Sequence, residues 1–478
     1  MRNMCHFADV THNYIIKYIL FNVIMKLKIL FCIFLLFLFI QRNLTASDIN
    51  YKLKNSNVLI ISIDSLRADH LGCYGYKRDT SPNIDLVAKN GTLFTHAISQ
   101  APWTKPSVAS LFSSMYITVH NVWYSYKETK DYTLSCKMSA DIVTLAEMLK
   151  IHGYETAAFG QKFHLRNEFG FRQGFGLLNM NLGKAANITN AASLWLKEKN
   201  PNKFFMYIHY DDAHFPYNPP NKFKMYDTYK STANITGDNF KSIRNGTIKL
   251  NEDDLNHIIA SYDGEVKWVD EKIGLLLNAI DTLGYTNNTT VIILADHGEE
   301  FMEHNGVAHG HTLYEELIRV PLIMKGPTIP VNTRPEGLVQ SIDIAPTVLD
   351  ILDLQPHNTW EGKSLVPLIY KSEDIHDYVY SEHKGYDAKD FLRVIQSKKW
   401  KLIKNYATHQ NLLFDLENDP AERTNVENKH PKIVATLESQ LSKWLNNEEA
   451  KSNASQFIRT IKIDAATKEK LQSLGYAN

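Results

Sequence analysis

The chain has 478 residues, with 52 basic against 52 acidic and a formal net charge of zero. That balance excludes the strongly cationic nucleic-acid binders, and 44% hydrophobic with 22% charged residues is a globular rather than a disordered composition. Four cysteines in all, Cys5, Cys32, Cys73 and Cys136, exclude a disulfide scaffold and a Cys-rich zinc protein.

The first predicted element is a leader. Residues 29–40 (ILFCIFLLFLFI) are an unbroken apolar run preceded by Lys17, Lys26 and Lys28. Such a run suits the core of a signal peptide better than a spanning helix, which needs about 20 residues. The expectation is a signal peptide over 1–46, cut near Ala46, with an uncleaved N-terminal anchor as the alternative and Met25 as a second candidate start. The mature protein is then exported, periplasmic or secreted. Residues 1–46 hold five basic groups and one acidic, so their removal leaves 47 against 51, a net charge of −4. Cys73 and Cys136 remain, a pair that an oxidising compartment could join.

Four apolar runs then read as buried strands that end in polar residues: NVLIISID (57–64), YETAAFGQKFH (154–164), FFMYIHYDDAH (204–214) and TVIILADHGEE (290–300). Helical spacing lies between them at 141–154, where Gly153 is the stop, and at 262–280. Strand and helix in alternation predict an α/β fold, a doubly wound and mostly parallel sheet over 47–370. Past residue 370 the pattern changes: 394–404 and 411–420 read as an antiparallel hairpin and 431–447 as a helix. These predict a small antiparallel α+β subdomain over 371–478. The stretch 215–250 reads as an irregular excursion over the site.

In a parallel sheet, ligands gather at the carboxyl ends of the strands. Asp64, His164, His214, Asp296 and His297 fall there. Two carboxylates and an imidazole are a reasonable divalent-metal set, although Asp at a strand end also caps loops. In QAPWTKPSVASLF (100–112), Pro106 reads as the first residue of a helix and Thr104 as a hydroxyl facing its N-terminus. An ordinary Thr N-cap is the competing reading.

The motifs IDSLRADHLGCYG (63–75), APWTKPSVASL (101–111), KFHL (162–165), DDAHFPY (211–217), LADHGEE (294–300), HTLYEELIRVPLI (311–323), FDLENDPAERTNV (414–426) and the terminal LGY together resemble the sulfatase family, within the alkaline-phosphatase-like superfamily. The resemblance runs in order over nearly the whole mature chain. It implies a metal held by Asp64, Asp296 and His297 and contacted by a nucleophile at Thr104. It also implies that Lys162 and His164 contact the nucleophile and substrate oxygens, and that His214 protonates the leaving oxygen. A further family Lys before the LYE run is missing; His311 is the expected stand-in.

Three departures matter. Sulfatases carry Cys or Ser, oxidised to formylglycine, where this chain has Thr104, and an Arg where it has Val108. Threonine cannot yield that aldehyde. Ser65 and His297 replace oxygen ligands of the family pattern, which favours one Zn²⁺ or Mn²⁺ over Ca²⁺ or Mg²⁺. Asp212, His214, His309 and His311 could hold a second ion.

A metal-activated Thr hydroxyl can still attack. The expected activity is hydrolysis of phosphate mono- or diesters or phosphonates. The alternatives are a sulfatase without formylglycine and a transferase of phosphoglycerol or phosphoethanolamine type. Joint retention of Asp64, Thr104, Asp296 and His297 argues against a binding-only relative. The expected partner is a small anionic ester, or a glycan or lipid headgroup, with no nucleic acid and no multi-span membrane domain.

Overall fold

Seven consecutive buried residues, NVLIISI, form an interior strand of an eight-stranded sheet in the computed structural model. The structure describes residues 25–31, 51–123, 127–128, 133–231, 236–384, 391–455 and 460–463. Most of the expected leader and the terminal LGY lie outside them. Residues 1–50 are one unit, of which 25–31 are helical, and residues 51–478 form another. Among the described residues no helix is long and apolar enough to cross a membrane.

The sheet comprises β1 (Asn57–Ile63), β2 (Thr92–Ile98), β3 (Glu155–Gly160), β4 (Leu177–Asn179), β5 (Phe204–Tyr210), β6 (Thr289–Ala295), β7 (Arg319–Lys325) and β8 (Leu338–Gln340). Their order is β8-β2-β7-β6-β1-β5-β3-β4. Strand β7 runs antiparallel to both β2 and β6, and every other pairing is parallel. Pro321, which has no N–H to give, sits in β7 where its register with β2 shifts between Val320 and Leu322. The apolar runs are continuous because β1, β5 and β6 are buried along their whole length.

Register places the chemistry. Ile63 at the end of β1 lies opposite Tyr210 of β5 and Ala295 of β6. The next residue of each strand is an aspartate, so Asp64, Asp211 and Asp296 leave the sheet in one row. Around it lie α1 (Pro82–Lys89), α2 (Thr104–Ser113), α3 (Leu145–Ile151), α4 (Ala185–Lys199), α5 (Phe240–Arg244) and α6 (Glu252–Thr282). The helix expected at 141–154 is the shorter α3, because Thr144 and Glu147 close a capping box that starts it late. The helix expected at 262–280 begins earlier, at Glu252, where Asn251 and Asp254 cap it in the same way.

The C-terminal strands are β9 (Val379–Lys384), β10 (Phe391–Gln396), β11 (Trp400–Asn405) and β12 (Asn411–Asp415), an antiparallel sheet beside the helix α7 (Pro431–Ser455). The run 394–404 is therefore two strands rather than one. Ser397 and Trp400 exchange backbone and side-chain hydrogen bonds of 2.8 and 2.9 Å that close a turn across two lysines. Cys73 and Cys136 are both free.

Lys401 fastens the C-terminal sheet to the segment that follows the site. It is fully buried, with Nζ 2.9 Å from Glu422 and 3.0 Å from Glu315. Lys401→Ala strands two glutamates, and breaking a buried pair in this way costs about 3–5 kcal/mol. Denaturant unfolding is expected to show that loss, with part of it recovered in the Lys401→Ala/Glu422→Gln double variant.

Candidate active site

Asp64, first residue past β1, is wholly buried and is the hub of the cluster. Its Oδ2 accepts from Lys162 Nζ at 2.7 Å and from His209 Nε2 at 3.0 Å, and Thr104 Oγ1 lies 3.4 Å away. Its Oδ1 accepts from Ser65 Oγ at 3.1 Å and faces His297 Nε2 at 3.4 Å. Burial alone would raise this carboxyl, but the Lys162 ammonium, with the hydrogen bond from His209, holds it well below the usual range.

Asp296 behaves oppositely. Its Oδ1 accepts from the amides of Ser65 and His297 at 3.3 and 3.0 Å. Its buried Oδ2 has no hydrogen-bond partner. Burial and the neighbouring Asp64 push it up to about 7. The two carboxylates therefore stand together with too little positive charge between them, and the unpartnered oxygen is aimed at the deficit.

Helix α2 begins at Thr104 itself, with Trp103 as its N-cap and Pro106 two residues inside. Thr104 is thus a helical residue rather than a cap, which corrects the expected start. All ten residues of α2 are buried. Thr104 Oγ1 lies 3.3 Å from His297 Nε2. The His297 Nδ1 is 2.8 Å from the Gly298 carbonyl, so it carries the proton and Nε2 keeps its lone pair. That lone pair faces Thr104, Asp64 and Asp296, the last at 3.5 Å. A divalent cation fits this donor set: two carboxylates, a hydroxyl and an unprotonated imidazole nitrogen around one uncompensated oxygen.

The remaining expected residues separate into two groups. His164 and His214 come to the cluster. His164 is fully buried, edge-on to Trp103 with ring centroids 6.1 Å apart, and burial, then Lys105 and Lys162, hold its imidazole well below the usual range. His214 gives its Nδ1–H to the Phe215 carbonyl, so Nε2 carries the ring's lone pair; burial and Lys162 hold the imidazole well below the usual range. His311 does not join them. Its Nε2 binds Glu300 at 2.7 Å, while His309, two residues earlier, reaches Ser65 Oγ at 3.4 Å and lies tilted against His297 with ring centroids 4.2 Å apart. The set expected to hold a second ion is also dispersed, since Asp212 accepts from the Ala185 amide at the start of α4 and pairs with Lys184. Arg67 supports the loop through Asp69 and Glu303. Trp123 packs on Phe391 in the C-terminal sheet.

Three neighbours were not expected. His209, inside β5, takes a hydrogen bond from the Tyr207 hydroxyl at Nδ1 (3.0 Å) and gives Nε2–H to Asp64. A histidine at a buried strand position needs such partners, and that is the signal the sequence carried. Glu299 is held by Tyr217 and His309 at 2.7 and 2.8 Å. Lys105, fully buried beside Thr104, donates to Ser135 at 2.8 Å. Because His209 orients a carboxylate of the cluster, His209→Ala is expected to lower turnover about 10-fold or more, with weakened metal retention, in steady-state assays and metal analysis.

Residues 56–354 match the family model described as Sulfatase, and residues 303–450 match that of the N-sulphoglucosamine sulphohydrolase C-terminal region. The chain belongs to the sulfatase family. Its fold is that of the alkaline-phosphatase-like superfamily, and it is an ester-bond hydrolase of a metal-dependent family. Arylsulfatase K of Mus musculus is 24% identical over 460 residues, covering 84% of this chain and 81% of that protein. The Delta 4,5-hexuronate-2-O-sulfatase of Bacteroides thetaiotaomicron is 25% identical over 470 residues, covering 88% and 94%. Among solved structures, the phosphonate monoester hydrolase of Agrobacterium radiobacter superposes with a TM-score of 0.69 at 21% identity, covering 82% of this chain and 96% of that one. A 2-O GAG sulfatase does so with 0.66 at 22%, covering 87% and 96%.

Proposed function

We propose that this sulfatase-family hydrolase is exported, by the apolar leader at 29–40, and cleaves phosphate mono- or diesters or phosphonates with unmodified Thr104 as nucleophile. The observation that carries the reading is a buried threonine hydroxyl 3.4 Å from Asp64 Oδ2 and 3.3 Å from His297 Nε2, at the position where the family has an oxidisable Cys or Ser. The catalytic set is Thr104, Lys162, His164 and His214, and the metal set is Asp64, Thr104, Asp296 and His297. His309 takes the place first assigned to His311.

A divalent cation in that set, with Zn²⁺ or Mn²⁺ favoured, supplies positive charge that lowers the pKa of a hydroxyl and stabilises charge on substrate oxygens. The Thr104 hydroxyl gives up its proton, Oγ1 bonds to phosphorus, and the ester P–O bond breaks. His214 Nε2, the lone-pair nitrogen of a neutral ring, takes up a proton and returns it to the leaving oxygen. Lys162 and His164 hold substrate oxygens. Water then cleaves the phosphothreonine, releasing the phosphorus acid and restoring Thr104.

Sulfate-ester hydrolysis by the same threonine is the second reading. It is favoured by the sulfatase models that match both halves of the chain and by relatives named as sulfatases. The test is a panel of p-nitrophenyl phosphate, bis-p-nitrophenyl phosphate, phenylphosphonate ester and p-nitrophenyl sulfate across Zn²⁺, Mn²⁺, Mg²⁺ and Ca²⁺. Phosphorus substrates are expected to lead; sulfate turnover above all of them overturns the first reading in favour of the second.

A further inference from the structure

The described part of the excursion at 215–250 includes the short α-helix α5, whose last residue is Arg244. Among the described residues, the hydrogen bonds that fix its guanidinium all go to backbone carbonyls. Nη2 and Nε donate to the Val307 carbonyl at 2.8 and 3.2 Å, and Nη2 also reaches the His309 carbonyl at 3.4 Å. The Phe240 ring lies 5.8 Å from the guanidinium carbon. Among the described residues no carboxylate lies within ion-pair distance of Arg244, and its Nη1 makes no hydrogen bond. The fully buried arginines differ: Arg67 meets Asp69 and Glu303, and Arg393 meets Glu382. An arginine keeps its charge at any working pH, and although Glu300 and Glu299 act on Arg244 from a distance, a half-buried guanidinium paired with no carboxylate among the described residues can still take an anion at its open edge.

The carbonyls that hold Arg244 place that charge beside the candidate active site. His309, whose carbonyl it binds, has its ring 4.2 Å from that of His297 and 4.8 Å from that of His214. The next residue, Gly310, donates its amide to the Pro102 carbonyl at 3.0 Å, two residues before Thr104. Segment 307–310 therefore lies between Arg244 and the start of α2. Within the cluster itself the Lys162 ammonium is already shared by Asp64 and Asp211, at 2.7 and 3.1 Å. A second charge on a substrate has to be met elsewhere.

We propose that Arg244 binds a second oxyanion carried on the alcohol half of the substrate, so that the natural substrate is a polyanionic ester rather than a simple one. This rests on the esterase reading above. The guanidinium offers Nη1 and the open edge of its plane to a carboxylate, sulfate or phosphate group, while the carbonyls keep it from swinging away. Selectivity then comes from α5, outside the residues that do the chemistry.

The experiment compares phenyl phosphate with 3-carboxyphenyl phosphate and 3-sulfophenyl phosphate, and the same three alcohols as sulfate esters, on wild-type protein, Arg244→Ala and Arg244→Lys. Wild type is expected to favour at least one charged alcohol through KM, and the better of the carboxyl and sulfo arms identifies the oxyanion. Arg244→Ala is expected to cut the charged-to-plain ratio of kcat/KM by about 10-fold or more, the worth of a hydrogen bond to a charged group, and Arg244→Lys to restore part of it. Taking the ratio between variant and wild type cancels the differing leaving groups. No preference for a charged alcohol in wild type, or an equal loss on plain and charged substrates, overturns the proposal. If no ester is turned over, the esterase reading fails separately. Calorimetric binding of 3-carboxyphenyl phosphate to wild type and Arg244→Ala then still decides Arg244, with equal affinity overturning it.

Discussion

Thr104→Ala is expected to lose at least about 10³-fold in kcat on whichever ester the wild type turns over best, with a much smaller change in KM. The reason is the isolation of the hydroxyl. Thr104 is completely buried at the first turn of a helix whose ten residues are all buried, and among the described residues its Oγ1 meets Asp64 and His297. Alanine keeps the helical backbone and leaves Asp64, Asp296 and His297 in place. Three of the four donors remain, so metal content and melting temperature should fall far less than kcat, which separates loss of the nucleophile from loss of the site. Thr104→Ser keeps a hydroxyl and is expected to recover much of the rate. Acid-quenched wild-type protein should carry a phosphoryl group on the peptide containing Thr104, and the alanine variant none. Intact turnover in Thr104→Ala removes the nucleophile assignment.

How much of this was legible in the sequence depended on whether the signal was local. The strand runs were visible because β1, β5 and β6 are buried on both faces and leave no polar position to interrupt them. The acids at their ends followed from where such strands open. The shared row of Asp64, Asp211 and Asp296 did not, because it depends on register between strands more than seventy residues apart, which no single segment encodes. The same limit explains the histidines. His309 and His311 flank one glycine, and only the position of Glu300 draws the second away from the cluster. Asp212 looked like a ligand beside His214, yet the free amide at the start of α4 claims it. His209 was hidden by its context, one imidazole within an apolar strand, although burial obliged it to find Tyr207 and Asp64. The start of α2 was misplaced by two residues because Pro106 is tolerated anywhere in a first turn, where its missing N–H has no intrahelical acceptor to serve.

Asp296→Asn carries the second large effect, and its sign depends on metal. With metal present the substitution removes a charged oxygen from the donor set. Turnover is expected to fall at least about 10²-fold, since loss of a mere supporting partner already costs up to that much. Without metal the expectation reverses. The Asp296 carboxyl is raised from 3.8 to about 7 by burial and by Asp64, so the folded protein keeps that proton after the unfolded chain has lost it. The metal-free wild type therefore loses stability as pH rises from about 4 to about 7, and the loss is complete above that range. Asparagine has no such proton to lose. Its side-chain oxygen can still accept from the Ser65 and His297 amides, and its NH₂ replaces the unpartnered Oδ2. Chelator-treated Asp296→Asn should then melt above chelator-treated wild type at pH 8, and the two should converge near pH 4. Added Zn²⁺ or Mn²⁺ should raise the melting temperature of wild type well above that of the variant. A chelated variant that melts below chelated wild type at pH 8 would mean that the Asp64–Asp296 repulsion is not there for a cation to relieve.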